Sequence, residues 1–193
     1  QQIITDFSQV AILLHSVRVE HSGPYMNALA ARGIKSFCPR ARAFFENEEV
    51  RLIIAAVAVI LGYVKENRDG NGYGAVQKLN RFVDESIELL ANVCDENLPL
   101  ALAIQGLAQE IEKIKPGENL DRRIADYIYQ LVAVAPLTSA MSDANKARNI
   151  ATLSSLFATF QQFYGYSVIT SKNLVSLRLS LFASFLRLLL DGG

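Results

Sequence analysis

The stretch Arg40–Arg51, RARAFFENEEVR, decides how the rest of the chain is read. Two arginines precede a Phe-Phe pair, and an acidic turn then leads into the apolar run Leu52–Leu61. Glu48 and Glu49 suit the first turn of a helix, where carboxylates complement the exposed N–H groups and the dipole. Asn47 stands where an N-cap is expected. Arg42 and Glu46 lie four apart and pair if the helix begins earlier. On physical grounds alone this is a capped core helix with a solvated entrance, running to about Tyr63.

Upstream, Val10–Leu14 is a short continuous apolar run, the pattern of a strand buried on both faces. Ser22-Gly23-Pro24 breaks it, and Pro24 suits the first turn of a helix. That helix is expected over Pro24–Arg32 with Gly33 as its C-cap, and Ile34–Cys38 reads as a second strand closed by Pro39. The result is a β-α-β unit of about 30 residues. Two strands rarely stand alone, so further strands are expected outside this chain, or the unit leans on the helices.

Downstream, Asn67–Gly74 (NRDGNGYG) is the clearest loop, and a domain boundary is placed there, between segments 1–66 and 75–193. Helical spacing then recurs. The stripe Val76, Leu79, Val83, Ile87, Leu90, Val93 predicts a helix over Val76–Cys94. Leu100, Ile104, Leu107 and Ile111 predict one over Leu98–Ile114, ended by Pro116-Gly117. Ile124, Ile128 and Leu131 predict one over Leu120–Val134, ended by Pro136. Ser142-Asp143 can cap a helix running to Tyr164 through Ile150, Leu153, Phe157 and Phe160, stopped by Gly165. Asn173 can cap the last helix, Leu174–Leu190, which is apolar on more than one face and therefore central or covered by a partner. Tyr166–Ile169 is the one further strand candidate. The fold expected is mostly α: a small α/β piece followed by a helical bundle of about five helices.

Composition bounds the function. The 193 residues are 51% hydrophobic and 20% charged, with 19 basic and 19 acidic side chains. At a formal net charge of +0, nucleic acid or anionic membrane must be met by a local patch rather than a global field. Cys38 and Cys94 are far apart and form no CxxC pair, so neither a zinc site nor a disulfide framework is expected and a cytoplasmic, reduced setting is the default. No signal peptide opens the chain, the Leu52–Leu61 run is too short to span a bilayer, and no membrane partner is expected. The missing initiator Met fits a processed protein or an excised fragment.

No phosphate-cradling GxxxxGK[ST], no GxGxxG and no GxSxG appears. Glu48 and Glu49 lack a carboxylate partner at metal-binding spacing, so no metal site is expected. His15 closes the first strand, where α/β sheets meet ligands, and with Arg18 it is placed to approach a phosphate. The basic residues are scattered over solvated faces. Phe160 to Lys172, including QQFYGYSVITSK, interleaves aromatic and basic residues in a way that suits stacking on exposed bases. Core packing of Phe160 and Phe163 is the expected use.

Order and residues together resemble a known family. Val10–Ser16 (VAILLHS), Ser22–Ile34 (SGPYMNALAARGI) and Phe44–Arg51 (FFENEEVR) resemble the start of the C-terminal motor lobe of UvrD/Rep-type superfamily 1 DNA helicases. In that family F-x-x-x-E-[IV]-[KR] opens a helix, and Phe45, Glu49, Val50 and Arg51 fit it. Ala147–Gly193 resembles the helical insertion preceding a Lys-Gly-Leu-Glu phrase. The resemblance implies part of a RecA-like lobe over 1–66 and a helical accessory (2B-like) subdomain over 75–193. It implies ATP and Mg²⁺ as cofactors of the parent protein, with no catalytic residue and no ATPase activity in this fragment. It also implies single-stranded or duplex DNA and the remaining helicase domains as partners. His15 and Arg18 are the implied nucleotide contacts, and Arg40, Arg42 and Arg51 the implied DNA contacts. The sequence departs from the family where Leu14 stands for the adenine-stacking aromatic and His15 for the γ-phosphate arginine. The rival reading is a stand-alone helical protein–protein interaction module whose last helix docks on a partner.

Overall fold

The computed structural model describes residues 19–34, 44–63 and 74–191, with isolated positions 10, 12 and 36. Eight helices lie among them: α1 (Val19–Ala30), α2 (Glu48–Ile60), α3 (Ala75–Glu96), α4 (Leu98–Glu112), α5 (Ile124–Val132), α6 (Leu137–Ala140), α7 (Ala144–Tyr164) and α8 (Leu174–Asp191).

The deciding stretch opens the central helix. From Leu52 to Ala58 every residue of α2 is buried, and α3, α4, α5 and α7 all pack on it. Ala55, Ala56 and Ala58 face these neighbours with the smallest side chains that keep a helix, which lets the axes approach closely. Asn47 occupies the N-cap position, but its side chain makes no cap bond. Its Nδ2 instead donates to the Phe44 carbonyl at 2.9 Å. Glu49 is buried and accepts a 2.7 Å bond from Asn149 Nδ2, which ties the start of α2 to α7.

The amphipathic helices fall where their stripes predict. Leu100, Ile104, Leu107 and Ile111 of α4 are all buried, as are Ile150, Leu153, Phe157 and Phe160 of α7. Asp143 caps α7 by accepting from the N–H groups of Asn145 and Lys146 at 2.8 and 3.0 Å. α5 starts at Ile124 rather than Leu120 because the preceding backbone is committed elsewhere. Leu120 N–H donates to Ile169 O, Ile169 N–H donates to Arg122 O, and Asn119 bridges Thr170. Tyr166–Ile169 therefore contributes to an isolated bridge and not to a strand. α8 lays Leu177, Leu181, Phe182 and Phe185 into the core against α3, where Phe185 meets Phe45 and Phe157 edge-on and Phe182 stacks on Tyr63. Asn173 binds the loop before α8: its Oδ1 accepts from Thr170 N–H and its Nδ2 donates to Val168 O.

The β-α-β unit is not seen. Of its two expected strands, the described positions Val10, Ile12, Ile34 and Ser36 lie in no strand, and the rest lie outside the described residues. Val10 and Ile12 are 48% and 52% exposed, whereas a strand covered on both faces would bury them. An apolar run becomes a strand only where neighbours supply ladder hydrogen bonds, and no described residue supplies them. The helix between starts at Val19, not Pro24, and holds Pro24 inside it. A single proline removes one backbone bond and is accommodated by a bend. The loop Asn67–Gly74 lies outside the described residues up to Gly74. The segment ending at Tyr63 and the helices from Ala75 share one hydrophobic core, from Phe45 to Phe185. No helix among the described residues is long and apolar enough to cross a membrane.

Candidate functional site

Of the site residues expected from sequence, His15, Arg18, Arg40 and Arg42 lie outside the described residues. Arg51 is described, half-buried, with its guanidinium held against α3. Nε donates to Ser86 Oγ at 3.2 Å, Nη2 lies 3.9 Å from Glu85 Oε2, and Cζ sits 5.9 Å from the centre of the Phe82 ring. This geometry clamps α2 to α3. Among the described residues no group of three His, Cys, Asp or Glu side chains is placed to hold a metal ion.

The feature that stands apart is at the far end of α7. Gly165 takes the left-handed conformation there, φ 68° and ψ 21°. Its N–H donates to Gln162 O, and the Tyr166 N–H donates back to Gln161 O at 3.0 Å. This is a Schellman stop, and its usual apolar contact is made by Tyr166, whose ring centre lies 6.0 Å from that of Phe160. The Gln161 side chain, itself buried, donates to Tyr166 O at 3.1 Å and locks the reversal. The pairing of residues 118–122 with 169–171 then brings the first turns of α5 beside this end. Between them lies an open groove of about 500 Å³, with Arg123 and Tyr129 on the α5 side and Gln161, Gln162, Gly165 and Tyr166 on the α7 side.

Tyr166, on the groove wall, belongs to a row of rings. Tyr164 and Tyr166 are nearly parallel, with 6.1 Å between centres and 12° between planes, and Phe163 meets Tyr164 edge-on at 5.1 Å. Phe160 lies below, buried, 4.8 Å from Tyr164. Phe163 is 80% exposed and Tyr129 63%. Core packing was expected of both Phe160 and Phe163, and only Phe160 does it. The buried stripe 150, 153, 157, 160 ends there, and Phe163 and Tyr164 are both exposed in the last turn before Gly165. Arg123 is the one charged residue on the groove wall. Its Nη2 lies 3.6 Å from Asp126 Oδ1, and the Asp126 carboxylate also accepts from the Arg123 N–H at 2.7 Å.

Charge is distributed unevenly along the sequence. Ala144–Leu190 contains no Asp or Glu, but contains Lys146, Arg148, Lys172, Arg178 and Arg187. With the whole chain at a formal +0, the compensating acids lie elsewhere. Comparison with protein-family models, with curated proteins and with solved structures gives no match for this chain.

Proposed function

We propose that this chain is a piece of a UvrD/Rep-like ATP-dependent DNA helicase, in which the helical bundle serves as the accessory subdomain and contributes to unwinding or repair through DNA contact and coupling to the motor lobe. One observation carries the reading. The F-x-x-x-E-V-R phrase falls where α2 opens, and its residues are the anchors of that opening: Phe45, Glu49 and Val50 are buried, and Arg51 clamps α3. The reading is supported further by the mostly helical character of residues 75–191.

The α/β reading of Val10–Cys38 belongs to this proposal and concerns the parent protein, where neighbouring strands of a RecA-like lobe are at hand to pair with it. ATP and Mg²⁺ belong there too, because a phosphate loop is not found in these 193 residues. The fragment alone is not expected to hydrolyse ATP. The rival reading is a free-standing interaction module docking through its last helix. α8 sends Leu177, Leu181, Phe182 and Phe185 into the core and leaves Val175 and Leu179 49% and 43% exposed, so an apolar face remains for a partner on that reading.

Two measurements test the proposal. Sequencing the coding frame on both sides should reveal a GxxGxGK[ST] phrase upstream and a Lys-Gly-Leu-Glu phrase downstream. The full-length protein should then show ATP hydrolysis stimulated by DNA. Stop codons close to both ends, or a full-length protein without DNA-stimulated hydrolysis, would overturn it.

A further inference from the structure

We infer that the chain pairs with a second copy of itself about a two-fold axis, the Phe163 ring of each copy entering the other's groove between α5 and the end of α7. The starting point is a knob beside a hole. Phe163 is 80% exposed, and it does not line the groove next to it, whose α7 wall is made by Ala158, Gln161, Gln162 and Gly165. One residue on from Gln162, it is turned about 100° around the helix from that wall. A ring so turned is offered to a neighbour rather than to its own groove. At about 500 Å³ the groove has room for an aromatic side chain. A two-fold contact is isologous, so one patch must carry both the projecting group and the recess that takes it. The end of α7 carries both.

Charge selects a second copy over other occupants. Residues 149–171 contain no Asp, Glu, Lys or Arg. Yet Ala151, Thr152, Ser155, Thr159 and Gln162 are exposed along α7. Near a two-fold axis residues meet their own kind, so a charge there would face its like, and a charge-free helix face removes that penalty. Nucleic acid would need free cations, and Arg123, the one cation on the groove wall, is already shared with Asp126. A charged protein partner would find no opposite charge along this face. Loss of charge together with exposed rings is the composition of an interface core. Tyr129, 63% exposed on the α5 wall, offers its ring to the incoming Phe163. One helix face and a few rings make less than the roughly 800 Å² per partner of a standard interface, so a weak dimer is expected, with a Kd of about 10–100 µM. The pairing needs neither nucleotide nor DNA, so it is independent of the helicase reading.

The test is sedimentation equilibrium of the 193-residue chain over about 5–300 µM, where the mass should rise from that of one chain toward that of two. Phe163→Ala should weaken the pairing about tenfold or more, because each copy loses the ring it buries in the other. Ala158→Glu, which narrows the groove and sets a carboxylate in it, should abolish pairing over the same range. Leu98→Ala, which removes an apolar side chain 66% exposed and outside the groove, should leave pairing unchanged, and thermal melts should show all three variants folded. Phe163→Ala keeps an open groove and Ala158→Glu keeps the ring, so an equimolar mixture of the two should associate more tightly than either alone. A parent chain that stays monomeric throughout overturns the inference. A Phe163→Ala chain that pairs like the parent, or a Leu98→Ala chain that does not pair, places the contact on another face and overturns it too. A mixture no tighter than its parts denies the exchange of rings. A monomeric chain that binds oligothymidylate through Phe163 gives the groove to nucleic acid instead.

Discussion

α2 and α7 end in the same backbone conformation, with Gly62 at φ 71° and Gly165 at φ 68°. Around Gly62 the turn is sealed. Arg178 of α8, itself buried, donates from Nη1 to Leu61 O at 2.9 Å and to Gly62 O at 3.4 Å, and a β-carbon on Gly62 would stand 3.2 Å from that nitrogen. A cation on the last carbonyls of a helix satisfies orphan acceptors and complements the dipole. Around Gly165 nothing lies within 4 Å of where a β-carbon would be, and the rings beyond it face solvent. One helix end has been used to close the core, and the other has been left open with its aromatic residues on view. The local stop is the same, and the neighbour across space decides what it is for.

The contrast predicts a gradient of effects. Arg178→Ala should be the most damaging, at about 3 kcal/mol, because it leaves the Leu61 and Gly62 carbonyls buried without their donor and opens a cavity. In a domain of this size that lowers the melting temperature by roughly 6–12 °C. A loss below about 1 kcal/mol would mean that the two carbonyls reach another donor. Gly62→Ala should cost about 2 kcal/mol, combining left-handed strain with crowding against an arginine that cannot retreat without giving up its bonds. Gly165→Ala carries the strain alone, about 1 kcal/mol. Equal costs at the two glycines, measured by urea unfolding, would erase the distinction between the sealed and the open end.

Much of this architecture was legible in the sequence, and the reason is physical. A stripe such as Leu100, Ile104, Leu107, Ile111 marks a helix by itself, whatever it packs on. A strand is a relation between two segments, so the apolar run Val10–Leu14 carried no information about whether a partner was present. The same holds for Asn47. Its identity suggested a cap, but the choice between its own helix and the Phe44 carbonyl depended on how the Phe-Phe pair was held. The groove was half legible. The aromatic residues after Phe160 were visible, but Tyr129 and Arg123 join them only through the pairing of residues 118–122 with 169–171, about fifty residues away and without any local mark.

Tyr127 and Tyr129 repeat the contrast between sealed and open within α5. Two residues apart on a helix is roughly 200° of rotation, so one ring goes in and the other out. Tyr127 is 1% exposed and its hydroxyl has no hydrogen-bond partner among the described residues. Burial, then Glu110 and Asp126, pushes its pKa up to about 12, with Arg122 opposing. The unfolded chain would lose this proton near the ordinary value of 10.0. The unfolded state therefore ionises first, and stability should fall as the pH rises from about 10 to about 12. Tyr127→Phe removes both the titration and the unpaired buried hydroxyl. At neutral pH it should change stability by less than about 1 kcal/mol, toward greater stability. At pH 11 its advantage over the parent chain should widen, as read by urea unfolding at the two pH values. A clear loss at neutral pH would show that the hydroxyl is bonded in the folded protein. The inner tyrosine would then be fixed by a polar contact as well as by packing, and burial alone would no longer separate it from Tyr129.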